Sequence, residues 1–178
     1  MMKVFVPIIA ISALLTSTVA GWSAETPPKS RTATGTLQVK LTINEECKVN
    51  PDGEATLNFG TPAILAQDAD SVGTIKVLCT KGTTYSIGLN AGNNPSNPGD
   101  VATRRMKGTG ANNYVGYQLY SDEGRKNVWG NTKEKDTVDS KIADGTAQPY
   151  SVYGRVSKLT TGVATGEYTD AVTVTVSF

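Results

Sequence analysis

The sequence predicts an all-β fold: a β-sandwich of six main strands, one short of a seven-stranded immunoglobulin-like one. Three observations predict it. Gly, Thr, Val, Tyr and Asn are plentiful, and beyond the first twenty residues no stretch keeps an apolar helical period for three turns. Short alternating runs recur between turn signals, as in a sandwich. The final run, 167–178, places Tyr168, Val172, Val174, Val176 and Phe178 on one face with nothing after it to cover its edge, while a second alternating run, Leu37, Val39, Leu41 and Ile43, stands near the other end. Such a chain lacks a last strand and carries a spare. Within one molecule the spare would be the domain's own edge strand; along a row of molecules the same pair makes a polymer by strand addition.

Residues 1–20 read as a secretory signal, with Lys3 as the basic end, Val4 to Leu15 as the apolar centre and Thr18-Val19-Ala20 as the cleavage site. The apolar centre falls short of the roughly 20 residues that span a bilayer, and no later segment is long enough, so no membrane insertion is expected. Cleavage leaves 158 residues from Gly21, a length for one domain. Residues 21–34, with Pro27-Pro28 and almost no apolar content, form a flexible leader. The spare strand occupies 35–44, with Thr36, Gln38, Lys40 and Thr42 between its aliphatic residues.

The sandwich domain follows over 45–178. A strand near 46–50 leads to the Pro51-Asp52-Gly53 turn, and Ala55 to Phe59 reads as a short strand ending at Gly60. Strands at 72–80 (Val72, Ile75, Val77, Cys79) and 84–90 (Tyr85, Ile87, Leu89) read as a hairpin around Lys81-Gly82. Ala91 to Asp100 is loop, Arg104 to Lys107 pairs briefly at an edge, and 114–121 alternates until Asp122-Glu123-Gly124 closes it. The charged stretch Lys133 to Gly145 is read as a solvated loop. A strand at 148–156 has Tyr150, Val152, Gly154 and Val156 in phase, and Lys158 to Gly166 turns the chain into the last run.

Several kinds of chemistry are excluded. With the signal removed, 16 basic groups face 16 acidic ones, which leaves no surplus to recruit nucleic acid. The chain has no histidine, so the Ser-His-Asp triad and the usual zinc hydrolase ligand sets are missing. Glu45-Glu46 would point to opposite faces if extended and Asp122-Glu123 sits in a turn; both are read as solvating loops rather than as catalytic pairs. Gly108-Thr109-Gly110 lacks the following helix a phosphate loop needs and is read as a turn. Arg104-Arg105 fits an exposed edge strand guarded by charge better than an anion site. Tyr85, Tyr117, Tyr120, Tyr150, Tyr153 and Tyr168 could form a sugar-stacking platform, but at strand spacing such residues more often pack the core and rim. No catalytic residue, metal or cofactor is therefore expected. Cys47 and Cys79 are the two cysteines; in an exported chain they read by default as a disulfide, the alternative being two buried thiols.

The segments Leu57-Asn58-Phe59-Gly60, Ile75-Lys76-Val77-Leu78-Cys79, Tyr85 through Gly92, Arg104-Arg105-Met106, Tyr117-Gln118-Leu119-Tyr120, Tyr153-Gly154-Arg155-Val156 and Gly166 through Val174, taken in order, resemble the spore coat U domain family. Its best-known members are subunits of archaic chaperone–usher pili of the Csu type, and the likeness is greatest to the major rod subunit, from which the Pro-rich leader departs. The resemblance implies an incomplete pilin that borrows a strand from a periplasmic chaperone, passes an outer-membrane usher to the cell surface, and then accepts the N-terminal strand of the next subunit. It implies Leu37, Val39, Leu41 and Ile43 as the donor strand, Val172, Val174, Val176 and Phe178 as the acceptor groove and chaperone-binding strand, and a Cys47–Cys79 disulfide.

A structural fibre subunit serving adhesion and biofilm formation is thus the leading expectation. A tip adhesin is expected to carry an additional N-terminal binding domain, for which 158 mature residues leave no room. A secreted spore or cell-coat protein would use the same fold without an usher.

Overall fold

The computed structural model describes residues 28–62, 66–110, 112–159 and 162–178. The signal at 1–20 and the leader up to residue 27 lie outside the described residues. The chain divides into two units between Lys40 and Leu41. All the strands among the described residues lie in the second.

That second unit is an all-β sandwich. One sheet has the order β1 (Cys47–Val49), β2 (Ala69–Cys79), β8 (Gln148–Val156), β6 (Gln118–Tyr120). A second has β10 (Val174–Ser177), β3 (Thr84–Leu89), β7 (Val138–Ile142), and a third β5 (Tyr114–Gly116), β4 (Arg105–Gly108), β9 (Tyr168–Thr169). Every pairing is antiparallel. A single 3-10 turn, Val101–Thr103, is the helical element among the described residues.

The longest ladder pairs β2 with β8, from Ala69 opposite Val156 to Val77 opposite Gln148. Its alternation is a sheet with one wet face: Ile75, Val77, Val152 and Val156 are buried while Thr74, Lys76 and Ser151 face out. The strand β3 is different. Tyr85 through Leu89 are all buried, because Tyr85, Ile87 and Leu89 enter the core while Ser86 and Gly88 are small enough to be covered from the other side. At Gly88 the cover is Asn131, packed where a Cβ would stand.

Two strands change sheets partway. The 114–120 run breaks at Tyr117 into β5 and β6, and the final run breaks at 170–173 into β9 and β10. The two breaks meet, since the Tyr117 hydroxyl donates to Asp170 Oδ2 at 2.7 Å.

Several sequence expectations are corrected. The runs at 72–80 and 84–90 are strands but not a hairpin: β2 and β3 belong to different sheets. The turn between them, closed by Thr83 N–H to Thr80 O at 3.1 Å, carries the chain across the sandwich. Alternation reveals a strand, not its partner; β3, buried on both faces, needs the centre of its own sheet, and β2 finds a longer ladder on β8. The supposed loop 133–145 contains β7, whose pattern is hidden because Ser140 takes a left-handed φ of 54° and the register shifts between Tyr85 and Ile87. Val72 is 54 % exposed, and Gly73 holds the inward phase instead.

Residues 55–59 are not a strand: they have no ladder partner among the described residues. They are nonetheless fixed. Leu57 and Phe59 lie on the inner side of β2 and β8, where a Cβ at Gly154 would stand 2.8 Å from Phe59 Cζ and 2.9 Å from Leu57 Cδ2. Asn58 accepts from Ser71 Oγ through its carbonyl at 2.6 Å.

Candidate functional site

The last strand has one paired edge. Its register on β3 runs from Val174 opposite Leu89 to Ser177 opposite Ser86, and no strand among the described residues pairs with its other edge. Val172, Val174 and Val176 are half-buried against the core, whereas Phe178 is 58 % exposed. Three of the four residues expected to line a groove thus form one row, and the fourth stands largely in solvent.

Leu37 and Val39 lie in the first unit, Leu41 and Ile43 at the start of the second. All four are exposed, at 85 %, 85 %, 83 % and 75 %, and none belongs to a strand. Four consecutive in-phase aliphatic side chains held in water are costly, each forgoing about 1.5 to 3 kcal/mol of burial. Isolated exposed apolar residues are ordinary; a contiguous row of them is not.

Immediately after this run the chain is strapped down. Cys47 and Cys79 face each other in the β1–β2 register and form a disulfide. The Glu46 N–H donates to Thr80 Oγ1 at 3.1 Å, and Thr80 N–H returns to Glu46 O at 2.9 Å.

A residue that the sequence misplaces is Arg104. Instead of guarding an exposed edge it is 1 % exposed. Its guanidinium donates to the carbonyls of Leu89, Asn90 and Trp129 and to Gln118 Oε1, at 2.7–3.0 Å. Burial pulls its pKa below the usual arginine range, opposed by the carboxylates of Asp136 and Asp170. Four acceptor oxygens around the guanidinium, with Asn90 O shared by Nε and Nη2, explain why a cation is tolerated there. Arg105 is the outer member of the pair, bonding Asn94 O at 3.0 Å and lying 4.1 Å over the Tyr114 ring.

The other candidates separate in space. Glu45 and Glu46 are exposed, and Asp122 is occupied as a loop cap that accepts from the Asn127 and Lys126 N–H groups, which holds its carboxyl below the usual range. Tyr85 and Tyr117 are core residues; Tyr85 and Tyr150 share a hydroxyl contact at 2.7 Å, and Tyr168 bonds Asn113. Tyr120 and Tyr153 are cross-strand neighbours on the outer face of the first sheet, where Arg155 clamps Asp70 with two bonds at 2.7 and 2.8 Å. The six tyrosines make no common platform.

Fold and site together define an immunoglobulin-like sandwich whose last strand, among the described residues, has an open edge beside half-buried valines. The chain belongs to the Spore Coat Protein U domain family, whose model matches residues 33–175. It is 33 % identical over 164 residues to Protein U of Myxococcus xanthus, covering 87 % of this chain and 90 % of that one. It is also similar, at 27 % identity and a TM-score of 0.53, to a chain in the crystal structure of the CsuC–CsuE chaperone–tip adhesion subunit pre-assembly complex from the archaic chaperone–usher Csu pili of Acinetobacter baumannii. That match covers 77 % of this chain and 40 % of the other, so the present chain spans less than half of the solved one. No helix among the described residues is long and apolar enough to cross a membrane.

Proposed function

We propose that this chain is a non-enzymatic structural subunit of an archaic chaperone–usher pilus, polymerising by donor-strand exchange into a surface fibre for adhesion and biofilm formation. The observation that carries it is the presence of two incomplete features: four exposed in-phase aliphatic residues at 37, 39, 41 and 43, and a final strand with one edge unpaired among the described residues, beside Val172, Val174 and Val176. Residues 35–44 act as the donor. The final strand accepts it, and Leu57 and Phe59, fixed but without ladder partners, suit the opposite wall. Burying the four donor side chains contributes about 6 to 12 kcal/mol. That rivals the whole stability of a typical domain, about 5 to 15 kcal/mol. An uncomplemented subunit is then marginal, which calls for a periplasmic chaperone before the usher, and a complemented one dissociates very slowly. Residues 1–20 serve as the export signal and 21–34 as a leader ahead of the donor.

The test is assembly. The wild-type chain, co-produced with a chaperone and usher, is expected to give ladders that survive mild denaturant; Val39→Asp and deletion of 21–43 are expected to abolish them while chaperone binding persists. Normal ladders from the deletion variant would refute the proposal.

A second reading is a secreted spore or cell-coat protein of the same fold, favoured by the likeness to Protein U over most of both chains. It predicts export and surface deposition that do not depend on an usher.

A further inference from the structure

The acceptor strand is held at its beginning by a chain of polar contacts that starts from Arg104. β7 ends its ladder at Val138, opposite Ile87, so Leu89 lies beyond it. There the Leu89 N–H turns to Gly130 O at 2.8 Å and its carbonyl to Arg104 Nη2 at 2.8 Å, replacing a missing strand. The same guanidinium holds Asn90 O through Nε at 3.0 Å and Nη2 at 2.7 Å. Asn90 in turn grips the last strand twice: its N–H donates to Thr173 O at 3.1 Å, and its Oδ1 accepts from Thr173 N–H at 2.8 Å. Thr173 sits between Val172 and Val174. A slip of one residue would turn both valines over, and the β10–β3 ladder, with pairs only from Val174 to Ser177, is short enough to need an anchor.

We propose that Arg104 is a positioning residue for strand acceptance: by fixing Asn90 it fixes Thr173, and thereby the phase in which Val172 and Val174 face the core beside the open edge of β10. Lysine keeps the charge but cannot reach the same set of acceptors from one nitrogen. The inference rests on the acceptor role proposed above, and its test separates the two.

Hydrogen exchange is measured on the full chain, comparing amides of 173–178 with those of 152–156, for wild type, Arg104→Lys and Asn90→Ala. Both variants are expected to exchange about tenfold faster in 173–178 with 152–156 little changed, as local opening demands. In parallel, capture of a synthetic peptide of residues 35–44 is expected to slow about tenfold, a readout that a merely stabilising residue would not move selectively. Equal acceleration of both segments, or none in 173–178, overturns the inference. Should Arg104→Lys fail to fold, the neutral Arg104→Gln, which buries no unpaired charge, decides by the same comparison, and Asn90→Ala tests the link from Asn90 to Thr173. Wild type that captures no peptide refutes the acceptor role, and the exchange pattern still decides whether Arg104 positions the strand.

Discussion

Thr83 is 1 % exposed, and its hydroxyl has no hydrogen-bond partner among the described residues. A buried polar atom left unpaired costs about 1 to 3 kcal/mol, so replacing it with a methyl of the same shape should stabilise the domain. Thr83→Val is expected to raise the thermal midpoint by a few degrees, read by calorimetry; a lower midpoint would mean that the hydroxyl is satisfied after all. Arg104 shows the limit of reading at this scale. Its neighbour Arg105 has the same charge, and no local pattern tells which of the two turns inward. Four acceptor oxygens, from Leu89, Asn90, Gln118 and Trp129, select Arg104, and they come together only in the folded chain. By contrast, Gly154 was already in phase with Tyr150, Val152 and Val156, and a glycine in an inward phase is a signal that another segment approaches closely. Leu57 and Phe59 are that segment.

Among the elements, β8 was legible because Tyr150, Val152 and Val156 alternate cleanly, and it spans Gln148–Val156 as expected from 148–156. Partnership was not legible, which is why β2 and β3 read as a hairpin. β7 was hidden by its charges and its left-handed Ser140. The strand β1 is only three residues long and adjoins the proposed donor. Its disulfide to Cys79 closes a loop that the chain-entropy model values at about 3 to 4 kcal/mol. Cys47→Ser with Cys79→Ser is expected to lower the unfolding free energy obtained from urea titration by that amount, with a lower midpoint. An unaffected midpoint would show that the β1–β2 ladder suffices without the bond.

Across the whole molecule, the contact between Tyr117 and Asp170 joins the two places where strands change sheets. Burial pushes the Tyr117 phenol far above its ordinary pKa, and the Asp170 carboxylate adds to the shift; burial and the Tyr85 hydroxyl raise Tyr150 similarly. An unfolded tyrosine titrates near 10. Both groups therefore contribute stability that is fully present below about pH 10 and is lost as pH rises toward their folded values. Thermal unfolding followed by circular dichroism from about pH 8 to 12 should show a midpoint that falls above 10, and Tyr117→Phe should fall less steeply. An identical slope in the variant would remove Tyr117 as a cause.

By itself the sequence determined the strand-rich class, the phase of most strands, the cysteine pair and the alternating aliphatic run at 37–43, because these depend on local alternation and composition. Tertiary structure alone decided which strands share a sheet, which arginine is buried, and that residues 55–59 lie fixed over Gly73 and Gly154 without a ladder. Those outcomes depend on partners distant in the chain, and alternation carries no information about which distant edge a strand will meet.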